Sequence, residues 1–112
     1  MKKKIHVDTN DIKFSDTGTT INISLMNNDE KWADTSYAPL VRFSAISLGT
    51  ISDVPGKWID NQIVVDSGSL VGLPVDNIRI EVWLMNGTDT LIFPDDGFGK
   101  ININYNSKGA TW

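Results

Sequence analysis

The residue types that carry most enzyme chemistry are scarce in this chain. It has no cysteine, which excludes thiol nucleophiles, thiolate metal sites and disulfide scaffolds and leaves the redox compartment open. His6 is the single histidine, so a His-based metal site or a Ser-His-Asp triad would have one possible member, near the chain start. The remaining general acids and bases are twelve Asp and two Glu, Glu30 and Glu81. Two carboxylates could serve in glycoside hydrolysis, and Asp95 with Asp96 is the most tempting pair. Their flanks, Pro94 and Gly97, instead describe a structural corner, since no calcium-loop ligand spacing follows. Asp8, Asn10 and Asp11 imitate the start of a calcium loop, but its sixth and twelfth positions are Lys13 and Thr19 in place of Gly and Glu. Gly97-Phe98-Gly99 precedes a strand, so no helix N-terminus is available to hold phosphate. The reading is a protein that is not an enzyme, with no metal and no cofactor.

The aromatic residues offer a different chemistry. Trp32, Trp58 and Trp83 could stack on sugar rings, and Trp83 is the best single candidate because strand alternation sets it opposite the core-facing stripe of its strand. The alternative for an outward strand Trp is to pack a subunit contact, which the general enrichment of Trp at interfaces favours.

What must position these residues is a sheet structure. Ile, Val and Thr together number thirty against seven for Ala, Glu and Gln, and β-branched side chains fit a pleated surface where Ala, Glu and Gln fill helices. With 112 residues there is room for one core. A 40% hydrophobic content is too apolar for disorder, and no run is long enough for a membrane span. The net charge of −4 leaves no cation excess for phosphates, so nucleic-acid and membrane partners are not expected. Lys2–Lys4 is not followed by an apolar stretch, so no signal peptide is read.

Strands are predicted at Lys3–Val7, Thr19–Met26, Leu40–Ser47, Gln62–Asp66, Asn77–Met85, Thr90–Phe93 and Lys100–Tyr105, with a short extra one at Ile12–Phe14. In Asn77–Met85 the inward residues are Ile78, Ile80, Val82 and Leu84, leaving Arg79, Glu81, Trp83 and Met85 on the other face. Ile21, Ile23 and Leu25 form a second inward stripe; Ile101, Ile103 and Tyr105 form a third. Asn86-Gly87 predicts a hairpin with both residues at positive φ, the type I′ turn. Asn27–Lys31 and Val54–Lys57 read as loops. The expected fold is all-β: an antiparallel two-sheet, immunoglobulin-like β-sandwich of about seven to eight strands over residues 1–106, with 107–112 opening a linker to further modules.

Glu81-Val82-Trp83, the corner Phe93-Pro94-Asp95-Asp96-Gly97-Phe98 and the strand Ile101-Asn102-Ile103-Asn104 together resemble the N-terminal domain of the baseplate upper protein family of tailed phages and prophages of Gram-positive bacteria. Asn10–Gly18 and Leu70–Pro74 are similar to it more loosely, and Gly99-Lys100 departs from its pattern. The resemblance implies a β-sandwich that anchors a receptor-binding or baseplate protein to the tail, with other tail or baseplate proteins as partners, a homo-oligomer in the full-length protein, and location in the virion tail after synthesis in the bacterial cytoplasm. Open strand edges and the outward set Arg79, Glu81, Trp83 and Met85 are the expected contacts. The alternative function is a carbohydrate-binding module for host cell-wall polysaccharide through Trp32, Trp58 and Trp83.

Overall fold

The alternating runs become strands whose apolar sides meet. The computed structural model describes residues 2–109, in which eleven strands form two sheets. They are β1 (Lys3–Val7), β2 (Asp11–Lys13), β3 (Thr20–Asn27), β4 (Glu30–Lys31), β5 (Ala38–Ala45), β6 (Ile51–Pro55), β7 (Lys57–Ile59), β8 (Gln62–Asp66), β9 (Asp76–Asn86), β10 (Asp89–Phe93) and β11 (Gly99–Asn104). One 3₁₀ turn, Ser67–Leu70, links β8 to β9. Among the described residues no helix is long and apolar enough to cross a membrane.

The smaller sheet runs β1-β3-β8-β7, with β4 added on β3; the larger runs β2-β11-β9-β5-β6, with β10 added on β9. All pairs are antiparallel except β2 with β11. This is the A-B-E-D sheet facing the G-F-C-C′ sheet of an immunoglobulin-type sandwich, with β2 as an extra parallel strand beside G. Between the sheets lie twenty buried apolar residues, Phe43, Phe93, Ile21, Ile23, Ile63, Ile80 and Leu84 among the most enclosed. Full burial of an Ile, Leu, Val or Phe contributes about 1.5–3 kcal/mol. This layer therefore holds the sheets together, not the few surface ion pairs, which are worth at most about 1 kcal/mol each.

Several sequence expectations need correction. Val54–Lys57 is not a loop: β6 and β7 are strands separated by Gly56 alone, where the chain passes from the larger sheet to the smaller. Side chains explain the bare α-carbon, because a Cβ on Gly56 would overlap Ile63 Cγ2. Asn27–Lys31 is a hairpin onto β4, with Asn28 and Asn61's neighbour Asp60 showing where the double positive-φ turns really lie: Asn28-Asp29 at 52° and 66°, and Asp60-Asn61 at 51° and 61°. In the β9–β10 hairpin Asn86 pairs with Asp89, so the central residues are Gly87-Thr88, and only Gly87 has positive φ. That is the arrangement of a type II′ turn, one residue further along than expected. β11 ends at Asn104, and Tyr105 is 66% exposed instead of facing inward. The chain leaves the sheet there because Asn106 Nδ2 donates to Phe14 O at 2.7 Å and Gly109 closes a turn on Asn106. The rest of the expected linker, residues 110–112, lies outside the described residues.

Candidate docking face

The expected contact residues lie on the outer face of the larger sheet. Because β9 alternates, Arg79, Glu81, Trp83 and Met85 all point away from the core, and the register sets their neighbours. One row across the strands reads Pro55, Leu40, Trp83, Ile92; the next reads Asp53, Arg42, Glu81; a third reads Ile51, Ser44, Arg79, Lys100. Ala38 and Met85 extend the apolar row on its far side. The face thus has an apolar centre at Trp83 bordered by charges.

Those charges are organised. The Arg42 guanidinium gives two hydrogen bonds to Asp53, Nε to Oδ1 at 2.8 Å and Nη2 to Oδ2 at 2.9 Å, and its Cζ stands 5.2 Å from the Trp83 ring centroid. Trp83 Nε1 donates to Glu81 Oε1 at 3.2 Å. The Arg42 pairing holds the Asp53 carboxyl below the usual carboxylate range, and the same bonds raise Arg42. Both are charged at neutral pH. Arg79 lies 5.0 Å from the Phe98 ring, and neither Arg79 nor Lys100 has a carboxylate within ion-pair distance among the described residues. The sequence does not reveal that Leu40, Arg42, Asp53, Pro55 and Ile92 complete this face. The alternation of Leu40, Arg42 and Ser44 was the available signal, but strand neighbours are needed to read it.

The corner Pro94–Phe98 is a bulge in an edge. Phe93 faces Val82 and Gly99 faces Ile80, so five residues stand opposite Glu81 alone. The Phe93–Pro94 peptide is cis. Asp95 reaches the other sheet: Oδ2 accepts from Lys3 N at 2.7 Å, Oδ1 pairs with Lys3 Nζ at 2.8 Å, and Asp95 N donates to Lys3 O at 3.0 Å. Lys3 lowers the Asp95 carboxyl, first by its side-chain hydrogen bond. Asp96, Gly97 and Phe98 are exposed, and neither Asp95 nor Asp96 lines the cleft at Leu73 or the cleft at Val64. Gly99 lies under β1, where a Cβ would overlap Ile5 Cδ1.

Trp32 and Trp58 are elsewhere. Trp32 packs edge-on against Tyr37 and Phe93, at centroid distances of 5.6 and 5.7 Å, and its Nε1 donates to Asp34 O. Trp58 Nε1 donates to Tyr37 O at 2.8 Å. Both are half-buried against the core, while Trp83 occupies the outer side of the larger sheet, so the three do not share one platform. The described residues include these two surface clefts. One, about 270 Å³, is lined by Phe14, Leu48, Thr50, Gly72, Leu73, Pro74 and Val75. The other, about 310 Å³, lies between β6 and β8 and has Lys57 and Asp66 as its only titratable groups. Among the described residues no group of three or more His, Asp or Glu is placed to hold a metal ion. The chain matches no protein-family model, no curated protein and no solved structure.

Proposed function

We propose that this sandwich is a docking module of a phage tail or baseplate protein, holding a receptor-binding or baseplate component in the assembly through the outer face of its larger sheet. The observation that carries the reading is the row Pro55, Leu40, Trp83, Ile92, an apolar strip on the solvent side of a sheet with ordered charges along one border. An outward face of a soluble sandwich is ordinarily polar, and apolar strips rimmed by charge mark interaction sites. Trp at the centre and Arg beside it are the residue types that dominate binding energy at such sites. The sequence resemblance supplies the kind of assembly. The test is a phage genome carrying Trp83→Glu: particles should assemble without this protein on the tail, whereas normal incorporation would sink the proposal. The sugar-binding reading has less support, since Trp32 and Trp58 are half-buried against the core and share no platform with Trp83.

A further inference from the structure

We infer that the outer face of the larger sheet receives a second copy of this chain, packed face to face about a two-fold axis that runs along the strands between β5 and β9. This deepens the docking reading and rests on it, because it assigns an occupant to the same face. The argument is one of self-complementarity, which a two-fold interface requires. Such an axis exchanges β5 with β9, so each residue meets the partner's copy of its own register neighbour. Those neighbours are Leu40 with Trp83, Arg42 with Glu81, Ser44 with Arg79 and Ala38 with Met85. Across the interface Trp83 therefore meets the partner's Leu40, Glu81 meets the partner's Arg42, and Met85 meets the partner's Ala38. In these β5–β9 pairs no like charges oppose each other.

Charge also favours this face over the remaining surface. The chain carries a net −4, yet β5, β6, β9 and β11 present Arg42, Arg79 and Lys100 here against Glu81 and Asp53. Two acidic molecules can approach through this nearly balanced region with less repulsion than through the rest of their surfaces. Edge-to-edge pairing through β6 is the geometry that the sequence disfavours. Pro55 has no N–H to give, and an antiparallel pair centred on β6 would set Asp53 against its own copy. Four strands about 4.8 Å apart and seven residues rising about 3.3 Å each give a contact roughly 20 Å square. That is smaller than the ~800 Å² per partner of a standard stable interface, so the association is weak and reversible for the isolated chain.

The experiment is sedimentation velocity of the 112-residue chain from roughly 10 μM to 1 mM, a range that brackets weak association. The wild-type chain should shift from monomer to dimer across it. Glu81→Lys and Arg42→Glu should each weaken the dimer at least tenfold, since each sets like charges in both symmetric contacts. An equimolar mixture of the two variants should dimerise again, because both contacts then become opposite-charge pairs. The Trp83 indole N–H resonance of the wild-type chain should move with concentration, a readout that needs no variant to fold. A wild-type chain that stays monomeric with a stationary Trp83 resonance would overturn the second-copy assignment, as would single variants that dimerise like wild type. If Trp83→Glu still prevents incorporation into particles in that case, the face docks a different tail protein. If Trp83→Glu protein incorporates normally, the docking reading itself falls.

Discussion

Gly56 gives the sharpest test of how the two sheets are joined. Replacing it with Ala adds one methyl group where the chain crosses from β6 to β7. That methyl would overlap Ile63 Cγ2 and stand 3.4 Å from Val41 Cγ2 and 3.7 Å from Pro39 Cγ. Ile63 and Val41 are fully buried, and Cγ2 is attached directly to a β-carbon whose rotamer is stiff in a strand, so the methyl cannot swing aside as the tip of a long side chain would. Overpacking of this kind costs about 1–3 kcal/mol. Against it stands about 0.4–1 kcal/mol gained because Ala restricts the unfolded chain, and the φ of Gly56 is not positive, so the backbone adds no strain. The net expectation is a loss of about 1–2 kcal/mol, a fall in melting temperature of roughly 4–8 °C for a domain of this size. Urea unfolding should show a lower midpoint with an unchanged slope. The cause is separable by a cycle with Ile63→Ala, which alone should cost about 2–5 kcal/mol through its cavity. The double variant should cost at least about 1 kcal/mol less than the sum, because the new methyl enters the space the Ile vacates. A Gly56→Ala protein as stable as wild type, or additive costs in the cycle, would refute the steric account.

Three further outcomes follow from the turn carboxylates. Ser67 is fully buried; its hydroxyl accepts from Thr19 N and donates to Asp16 Oδ1, both at 3.0 Å, so Ser67→Ala should lower stability by about 2 kcal/mol in urea titration. An unchanged midpoint would contradict that role. Asp95→Ala should speed amide exchange along β1 while β9 keeps its protection, since the Lys3 N–H and the Lys3 ammonium both lose the Asp95 carboxylate; uniform exchange in both strands would argue against a local clamp. Asp16, Asp53, Asp76 and Asp95 all titrate below their ordinary value, held there first by the Thr19 hydroxyl, the Arg42 guanidinium, the Ser47 N–H and the Lys3 ammonium respectively. Groups lowered in the folded state contribute stability above the unfolded pKa and lose it as pH falls through the folded values. The urea midpoint should therefore stay level from about pH 7 to 5 and drop below about pH 4; a midpoint that holds or rises in acid would show that these bonds do not favour folding.

The strands that were legible in the sequence are those with long alternation and one buried face. Ile78–Leu84 and Ile21–Leu25 each show their inward stripe directly, because a period of two has no other reading in that composition. β6 and β7 were not legible for the opposite reason. Their five and three residues are interrupted by Pro55 and Gly56, which in isolation signal a turn, and only the packing of Ile63 beneath Gly56 shows that the chain stays extended there. The Asp residues illustrate a similar limit. Their turn locations suggest local hydrogen bonds, and Asp34 with Ser36 fits that pattern. Asp16 to Ser67, Asp76 to Ser47 and Asp95 to Lys3 instead join segments 51, 29 and 92 residues apart. No spacing rule reveals such partners, since they depend on which loops the topology brings together. The outward set on β9 was readable residue by residue, but the face it belongs to required the neighbours Leu40 and Arg42.

The corner at residues 94–98 connects these two levels. As an insertion opposite Glu81, it interrupts the last strand of the larger sheet where the charged row of the outer face would otherwise continue past β9. With no strand residue beside it on that side, Glu81 has Arg42 as its only register neighbour across the sheet, and its carboxylate accepts from the Trp83 indole N–H. The same insertion delivers Phe98 to Arg79, drawing that guanidinium to the β11 side and away from the β5–β9 line. It also sends Asp95 across to Lys3, so the shape of the outer face is tied to the anchoring of β1 on the opposite sheet. A bulge that only ended the pairing could have been shorter. Five residues are what let one insertion clear the row beside Glu81, reach Arg79 and clamp the other sheet, and the Pro-Asp-Asp-Gly sequence is the part of the chain in which those three effects are written.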